Sequence, residues 1–443
     1  MVKRVVFDAV NAVLANLCRE FRELNSGHVA TYIPPLARAD PADFGMALTS
    51  ADGHRYQAGE ADKPFTIQSV SKPFVLALAL TELGADEVFR RVGVEPSGER
   101  FNAISLDPET GRPANPMINA GAIATTALVP AASAEQRFTR ILETLGRFAG
   151  RSLDVDDEVY RAEAATGDRN IALAHLMRAA GSLAGDPSGV LDVYFRQCAI
   201  RVTALDLSVM AATLANGGVN PVTGARVVPE PVTVQVLAVM ATCGMYDGSG
   251  DWLLRVGLPA KSGVSGGLVA VRPGRSGVGC YSPLLDAAGN PVRAVAALAE
   301  LSREFGLHLM HNPPSGAPTI IRPGLSDGPD EAAWRQAGGG TAPGDLPAWV
   351  AAQGELDFTA AEQLVYALAE RLPEVGRGRA VIDLVRVTAV DAAAEGLVRV
   401  VLDRLTAMGH RIGFVGDAAV PFSVEGTLLA SRSAAVEWAR LPS

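Results

Sequence analysis

Through residue 311 the apolar positions of this chain recur mostly every three to four residues, interrupted by short runs that alternate every second residue. The first rhythm is that of a helix with one buried face, and the second that of a strand. Glu135 to Phe148, Ile171 to Ala180, Ala204 to Ala215 and Val232 to Cys243 carry the helical rhythm, and the N-terminus reads as an amphipathic helix to about Leu24. Phe44 to Ser50 and Arg55 to Ala58, with Asp52-Gly53 between them, predict a hairpin. Gly266 to Val271 and Val278 to Tyr281 predict a second strand pair. Strands at both ends with helices between them predict one mixed sheet, carrying a helical insertion and completed by the returning C-terminal strands.

The pattern changes at Asn312. Residues 312–345 hold Pro313-Pro-Ser-Gly316, Pro323-Gly324, Asp327-Gly-Pro329 and Gly338-Gly-Gly340, a composition that cannot bury a core and reads as a linker. Beyond it Ala348 to Ala352, Ala380 to Leu384 and Arg411 to Val415 are strand-like, with helical patterns at Ala360 to Leu372 and Ala393 to Met408. This β-α-β-α-β alternation predicts a small α/β domain over residues 346–443. The expected organisation is therefore a first domain at 1–311, a linker at 312–345 and a second domain at 346–443, mixed α/β throughout.

Composition narrows the function. A net charge of −9 with no Lys/Arg block argues against nucleic-acid binding, because phosphate contacts need a basic face. No apolar stretch reaches the roughly 18 residues of a membrane span, and Asp8 and Asn11 break the N-terminal run before it reads as a signal peptide. Cys18, Cys198, Cys243 and Cys280 stand apart, without zinc or redox spacing, and the six histidines show no metal-ligand pattern. A cytoplasmic protein with reduced core thiols is expected, acting on a small molecule or through protein contacts, with no cofactor and no metal.

The most informative local feature is Ser69-Val-Ser-Lys72. Residues three apart share a helix face, so the Lys72 amine can reach the Ser69 hydroxyl, whereas Ser71 points about 100° round the helix. A serine needs a base before it attacks, and a desolvated lysine can supply one. Only four lysines, Lys3, Lys63, Lys72 and Lys261, stand among 39 cationic residues. Arginine cannot release a proton near neutral pH, so a site that needs one has to use lysine. By itself the motif equally fits a lysine that opens a helix and snorkels to solvent.

Other segments read two ways. Asn115-Pro-Met-Ile-Asn-Ala-Gly121 sets two amides in a compact turn, fit for a ligand or simply for caps; Glu163 before Thr166-Gly-Asp-Arg-Asn170 can be a site or a helix start. Tyr194 and Tyr246 can relay a proton or merely pack. Lys261-Ser-Gly263 can line a serine site, with Val264 offering a backbone N–H. Gly263-Val-Ser-Gly-Gly267 fits the Gly-x-Ser-x-Gly nucleophile elbow, but that elbow belongs between a strand and a helix and here leads into a strand-like run.

Taken in order, Tyr32-Ile-Pro34, Gln68 to Pro73, Asn115 to Gly121, Glu163 with Gly167 to Asn170, Tyr194, Cys243 to Tyr246 and Leu258 to Val264 resemble the serine-dependent glutaminase family. Its catalytic domain is β-lactamase/transpeptidase-like. The resemblance implies hydrolysis of L-glutamine to L-glutamate and ammonia through an acyl-enzyme on Ser69, with Lys72 as base and Tyr246 as relay. It implies an oxyanion hole from the Ser69 and Val264 N–H groups, and substrate contacts from Tyr32, Asn119, Glu163, Asn170, Tyr194 and Tyr246. A homodimer or homotetramer is also implied. A penicillin-recognising serine hydrolase on the same fold is the rival enzyme, and a non-catalytic interaction protein is the third class. Gly354 to Ala361 and Val381 to Asp391 resemble the STAS domain of sulfate transporters and anti-sigma-factor antagonists. Where such antagonists present a phosphorylatable residue after Asp391, this chain has Ala392-Ala-Ala, which argues against a phosphate switch there and leaves a docking, oligomerisation or small-ligand role open, with an unidentified protein or ligand partner.

Overall fold

The computed structural model describes residues 2–97, 106–183, 185–311, 319–321, 348–370, 372, 378–416 and 426–440. The chain divides into two compact units, Leu14–Leu301 and Met1–Val13 with Ser302–Ser443, so the division falls ahead of residue 311.

The N-terminal helix α1 (Val2–Phe21) ends a turn before Leu24. In the first unit the expected hairpin forms: β1 (Gly45–Ser50) pairs antiparallel with β2 (Arg55–Gly59), and Gly53 takes the positive φ of the turn. A two-residue strand β3 (Phe65–Thr66) then leads into α2 (Lys72–Leu83). This helix is buried at every position from Lys72 to Leu80. A helix apolar all round has to be surrounded by other elements, and α2 lies at the centre of the largest described core cluster, with Phe74 against Phe148.

The helices around it are α3 (Ala85–Arg91), α4 (Asn119–Leu128), α5 (Ala134–Ala149), α6 (Asp157–Thr166), α7 (Asp168–Ala179) and α8 (Pro187–Cys198). After β4 (Arg201–Val202), which pairs with β3, come α9 (Ala204–Ala215), α10 (Glu230–Cys243) and α11 (Ser249–Arg255). The four helices expected from the 3.6-residue rhythm are thus α5, α7, α9 and α10. The chain then returns to the sheet as β5 (Ala260–Ser262), β6 (Gly267–Arg272) and β7 (Ser276–Tyr281), followed by α12 (Val292–Glu304).

The sheet runs β2-β1-β7-β6-β5, closed by returning strands as expected. Every pairing in it is antiparallel, where the sequence led us to expect a mixed sheet. Tight connections between β1 and β2, β5 and β6, and β6 and β7 leave no room for a parallel crossover, and the helical insertion joins strands that are not neighbours. Helix α9 lies on this sheet at close range because β7 carries glycines. A Cβ at Gly279 would stand 2.1 Å from Ala204 O, and one at Gly277 2.2 Å from Ala212 N.

The second unit is built on β8 (Thr319–Ile321), β9 (Ala348–Leu356), β10 (Arg379–Val390), β11 (Arg411–Val415) and β12 (Thr427–Leu429), in the order β12-β11-β10-β9-β8. All neighbours are parallel except β8 and β9. Its helices are α13 (Phe358–Ala369), α14 (Ala392–Ala407) and α15 (Arg432–Arg440). The expected β-α-β-α-β order is present. Asp357 and Asp391 cap α13 and α14 by accepting from Ala360 N and Ala394 N, which sets the helix starts slightly before the apolar rhythm does. Three elements were not foreseen: β8, β12 and α15. The expected linker lies outside the described residues except at Thr319–Ile321, where a β-branched triplet pairs with β9 instead of running free.

Gly279→Val is expected to lower the urea midpoint of the protein by an amount equivalent to about 2 kcal/mol or more, since helix backbone occupies the space its side chain needs. An unchanged midpoint would show that α9 can move off the sheet freely.

Candidate active site

Ser69 stands in a 3-10 turn, Gln68–Ser71, and Lys72 opens α2 directly after it. The sequence placed both residues on one α-helix. In a 3-10 turn residues i and i+3 eclipse, so the spacing still sets the two residues on one side of the chain, while the hydroxyl of Ser69 meets Tyr246. Gln68 enters the turn at φ 49°, left-handed backbone that a non-glycine residue rarely adopts. Tyr246 at φ 58° is the other such residue among those described. Strained backbone of this kind concentrates at functional sites.

Ser71 is occupied elsewhere. Its hydroxyl donates to Gln68 O at 2.8 Å and accepts from Gln197 Nε2 at 2.9 Å, while Gln197 Oε1 accepts from Thr126 at 3.0 Å. This buried chain braces the turn from behind. The elbow serine is occupied too: Ser265 is buried, donates to Thr66 O at 2.6 Å, and sits in the turn between β5 and β6 rather than ahead of a helix. That removes the Gly-x-Ser-x-Gly reading.

Lys72 does not snorkel; it is 2 % exposed. Its Nζ donates to Met117 O at 3.1 Å and to Asn119 Oδ1 at 2.8 Å. Burial brings its pKa down to about 7, against the opposing pull of Cys198 and Glu163. A neutral amine has two N–H groups and one lone pair. With both N–H groups directed at carbonyl oxygens, the lone pair is left to accept. The acceptors come from the Asn115–Gly121 turn, where Asn115 Oδ1 takes the Met117 and Ile118 N–H groups at 3.0 and 3.2 Å. Of the two amides in that turn, Asn115 builds it and Asn119 reaches the site. Gly121 allows the fit, because a Cβ there would stand 1.8 Å from Asn115 O.

Ser69 opens on a cavity of about 350 Å³ that also gathers Tyr32, Asn119, Glu163, Asn170, Tyr194 and Val264. Seven of the expected site residues therefore share one space. Glu163, in the last turn of α6, is buried, and burial raises its pKa to about 7 although Gln68 Nε2 donates to it at 3.2 Å. Asn170, in the first turn of α7, accepts from Asn119 Nδ2 at 3.0 Å. Tyr194, on α8, donates to Asn119 Oδ1 at 3.5 Å. Tyr32 is 53 % exposed over its whole surface, yet burial of its phenol, with the Glu163 charge beside it, raises its pKa well above the usual value.

Lys72 and Tyr246, the other two expected residues, are buried and are not among the residues that line the cavity. Burial pushes the Tyr246 phenol up, with the Ser69 hydroxyl pulling it back. The Lys261 amine, fully buried on β5, lies 3.7 Å from the centre of the Tyr246 ring and donates to Ser262 O at 2.7 Å; the Lys72 amine is 5.8 Å from the same ring. Among the described residues neither the Ser69 nor the Val264 N–H is taken by a backbone acceptor. Sequence reasoning gave no role to Gln68, Cys198 or Arg169, which also line the cavity. Gln68 and Arg169 lie inside motifs it had quoted. Cys198 had no signal, since an isolated cysteine reads as core.

The antiparallel sheet, the enclosed α2 and the cavity at its head define an α/β protein of β-lactamase-like fold. The chain belongs to the glutaminase family, whose family model matches residues 27–310. "Glutaminase 2" of Bradyrhizobium diazoefficiens is 52 % identical over 298 residues, covering 67 % of this chain but only 48 % of that relative, so the match spans about half the relative's length. A glutaminase of Microcystis aeruginosa is 50 % identical over 66 % of this chain and 86 % of its own. The solved structure of Mglu in its glutamate form is similar over 91 % of this chain and 98 % of its own, at 38 % identity and a TM-score of 0.66.

With lysine ¹⁵N-labelled, NMR is expected to show an amine titrating near pH 7 whose signal disappears in Lys72→Met. If every lysine signal stayed protonated to pH 9, the desolvated amine would be excluded.

Proposed function

We propose that this chain hydrolyses L-glutamine to L-glutamate and ammonia through an acyl-enzyme on Ser69. The observation that carries this reading is the buried Lys72 amine, bonded to Met117 O and Asn119 Oδ1 and three residues from Ser69, the one serine among the described residues that lines the cavity. Lys72 takes the Ser69 proton as Oγ bonds to the side-chain carbonyl carbon. The oxyanion that forms lies against the Ser69 and Val264 N–H groups, a role supported by their having no backbone acceptor among the described residues. As the C–N bond breaks, the proton passes from Lys72 by way of Tyr246 to the departing nitrogen, which leaves as ammonia. Water then attacks the ester carbonyl carbon, giving a proton to Lys72; the C–Oγ bond breaks, Lys72 returns that proton to Ser69 Oγ, and glutamate leaves.

Recognition of a free amino acid follows from the lining. Glu163 pairs with the α-ammonium, while Tyr32, Asn119, Asn170 and Tyr194 hold the α-carboxylate, leaving the side-chain amide toward Ser69. A glutaminyl residue within a peptide lacks both charges and is a poor substrate on this reading.

We also propose that residues 346–443 act as a STAS-like docking domain, a reading supported by the parallel β9-α13-β10-α14-β11 order. Alanines fill the start of α14 after Asp391, which leaves no hydroxyl there for a phosphate switch. A cytoplasmic homodimer or homotetramer completes the proposal. Four free buried cysteines support the reducing compartment, and among the described residues no helix is long and apolar enough to cross a membrane.

Ser69→Ala is expected to cut ammonia release from L-glutamine by at least about a thousandfold; near-normal turnover would sink the proposal. The pH dependence has a definite sign. Lys72 is the free base, and Glu163 the anion, only above about pH 7, so kcat/KM rises with pH through that region and is lost below it. A rate independent of pH between 5.5 and 8.5 contradicts both roles.

A further inference from the structure

The cavity has a charge asymmetry that the proposed chemistry leaves unused. Among its lining residues Glu163 is the acid and Arg169 the base. Glu163 is buried at the end of α6, whereas Arg169 is exposed in the first turn of α7. Gly167 joins the two helices at close quarters, since a Cβ there would meet Phe195 Cζ at 2.6 Å and Glu163 O at 2.9 Å. The two charges thus face one space from different depths, the anion inside and the cation at the mouth.

An α-amino acid carries its own two charges on a single carbon. Asn119, Asn170 and Tyr194 can hydrogen-bond a carboxylate but cannot neutralise it. The protein as a whole, at −9, repels an approaching carboxylate. A local cation at the entrance offsets that field where the substrate passes. Guanidinium also matches carboxylate geometry with paired N–H donors, which lysine does not.

We propose that Arg169 is a specificity-determining residue that draws the substrate α-carboxylate in at the cavity mouth, ahead of its seating on Tyr32, Asn119, Asn170 and Tyr194. The inference rests on the glutamine-hydrolysis reading and adds to it a selection for the free α-carboxylate. Because Arg169 is exposed, its contribution falls mainly on capture, is screened by salt, and amounts to a severalfold change in KM.

The test compares L-glutamine with L-glutaminamide, whose α-carboxylate is replaced by a neutral amide, on wild type, Arg169→Gln and Arg169→Lys. In Arg169→Gln the KM for glutamine is expected to rise about fivefold, a larger effect than on kcat, while the KM for glutaminamide changes less than about twofold. Arg169→Lys recovers part of the loss. In wild type the KM for glutamine climbs with added NaCl, and in Arg169→Gln that dependence flattens. An equal loss on both substrates, or none on either, overturns the role of Arg169 while leaving glutamine hydrolysis standing. Absence of glutamine turnover in wild type overturns the reading beneath it.

Discussion

The burial of one amine organises this molecule. Lys72 sits at the head of a helix enclosed on all sides, and its Nζ lies within hydrogen-bond reach of Met117 O and Asn119 Oδ1. A charged ammonium in such a place costs several kcal/mol, so the group sheds its proton near neutrality instead of remaining charged as it does in water. Everything that keeps α2 enclosed therefore acts on the chemistry of its first residue. The surrounding helices supply the low dielectric, and the Asn115–Gly121 turn supplies the two acceptors.

The same economy governs the serine. Gln68 enters the turn through strained backbone and donates to Glu163, so one residue shapes the turn that holds Ser69 and steadies a buried carboxylate lining the same cavity. Ser71 and Gln197 hold the turn from behind. Asn119 Oδ1 is shared by Lys72 and Tyr194, and its Nδ2 reaches Asn170, which couples the proposed base to the proposed substrate cradle through one side chain. Removing Asn119 would therefore disturb protonation and binding together, and the two effects would not add.

The second unit is built on other rules. Its sheet is parallel apart from the β8 edge, and Asp357 and Asp391 cap the helices that follow β9 and β10. Asp391 is partly buried near Asp357 and Glu355, and burial raises its carboxyl to about 6, with His311 opposing. Its capping bond to Ala394 N favours the ionised form, so a structural role accounts for its position.

Local sequence determined a good deal. Apolar rhythm gave α5, α7, α9 and α10, and alternation with Asp52-Gly53 gave the first hairpin, because these signals depend only on neighbours a few residues apart. Ser69 and Lys72 were legible for the same reason. Sequence could not set the strand directions of the main sheet, the pairing of Thr319–Ile321, or the 3-10 turn that carries Ser69, since each depends on partners far along the chain. Nor could spacing alone decide between Asn115 and Asn119, and it set Ser71 and Ser265 aside only on helix geometry and strand context. Those choices turn on which side chains are already satisfied by distant groups: Asn115 by Met117 and Ile118, Ser71 by Gln197, Ser265 by Thr66. The sequence by itself determined which groups can act. Tertiary structure decided which are free to act, because burial and hydrogen-bond satisfaction are properties of the packed chain.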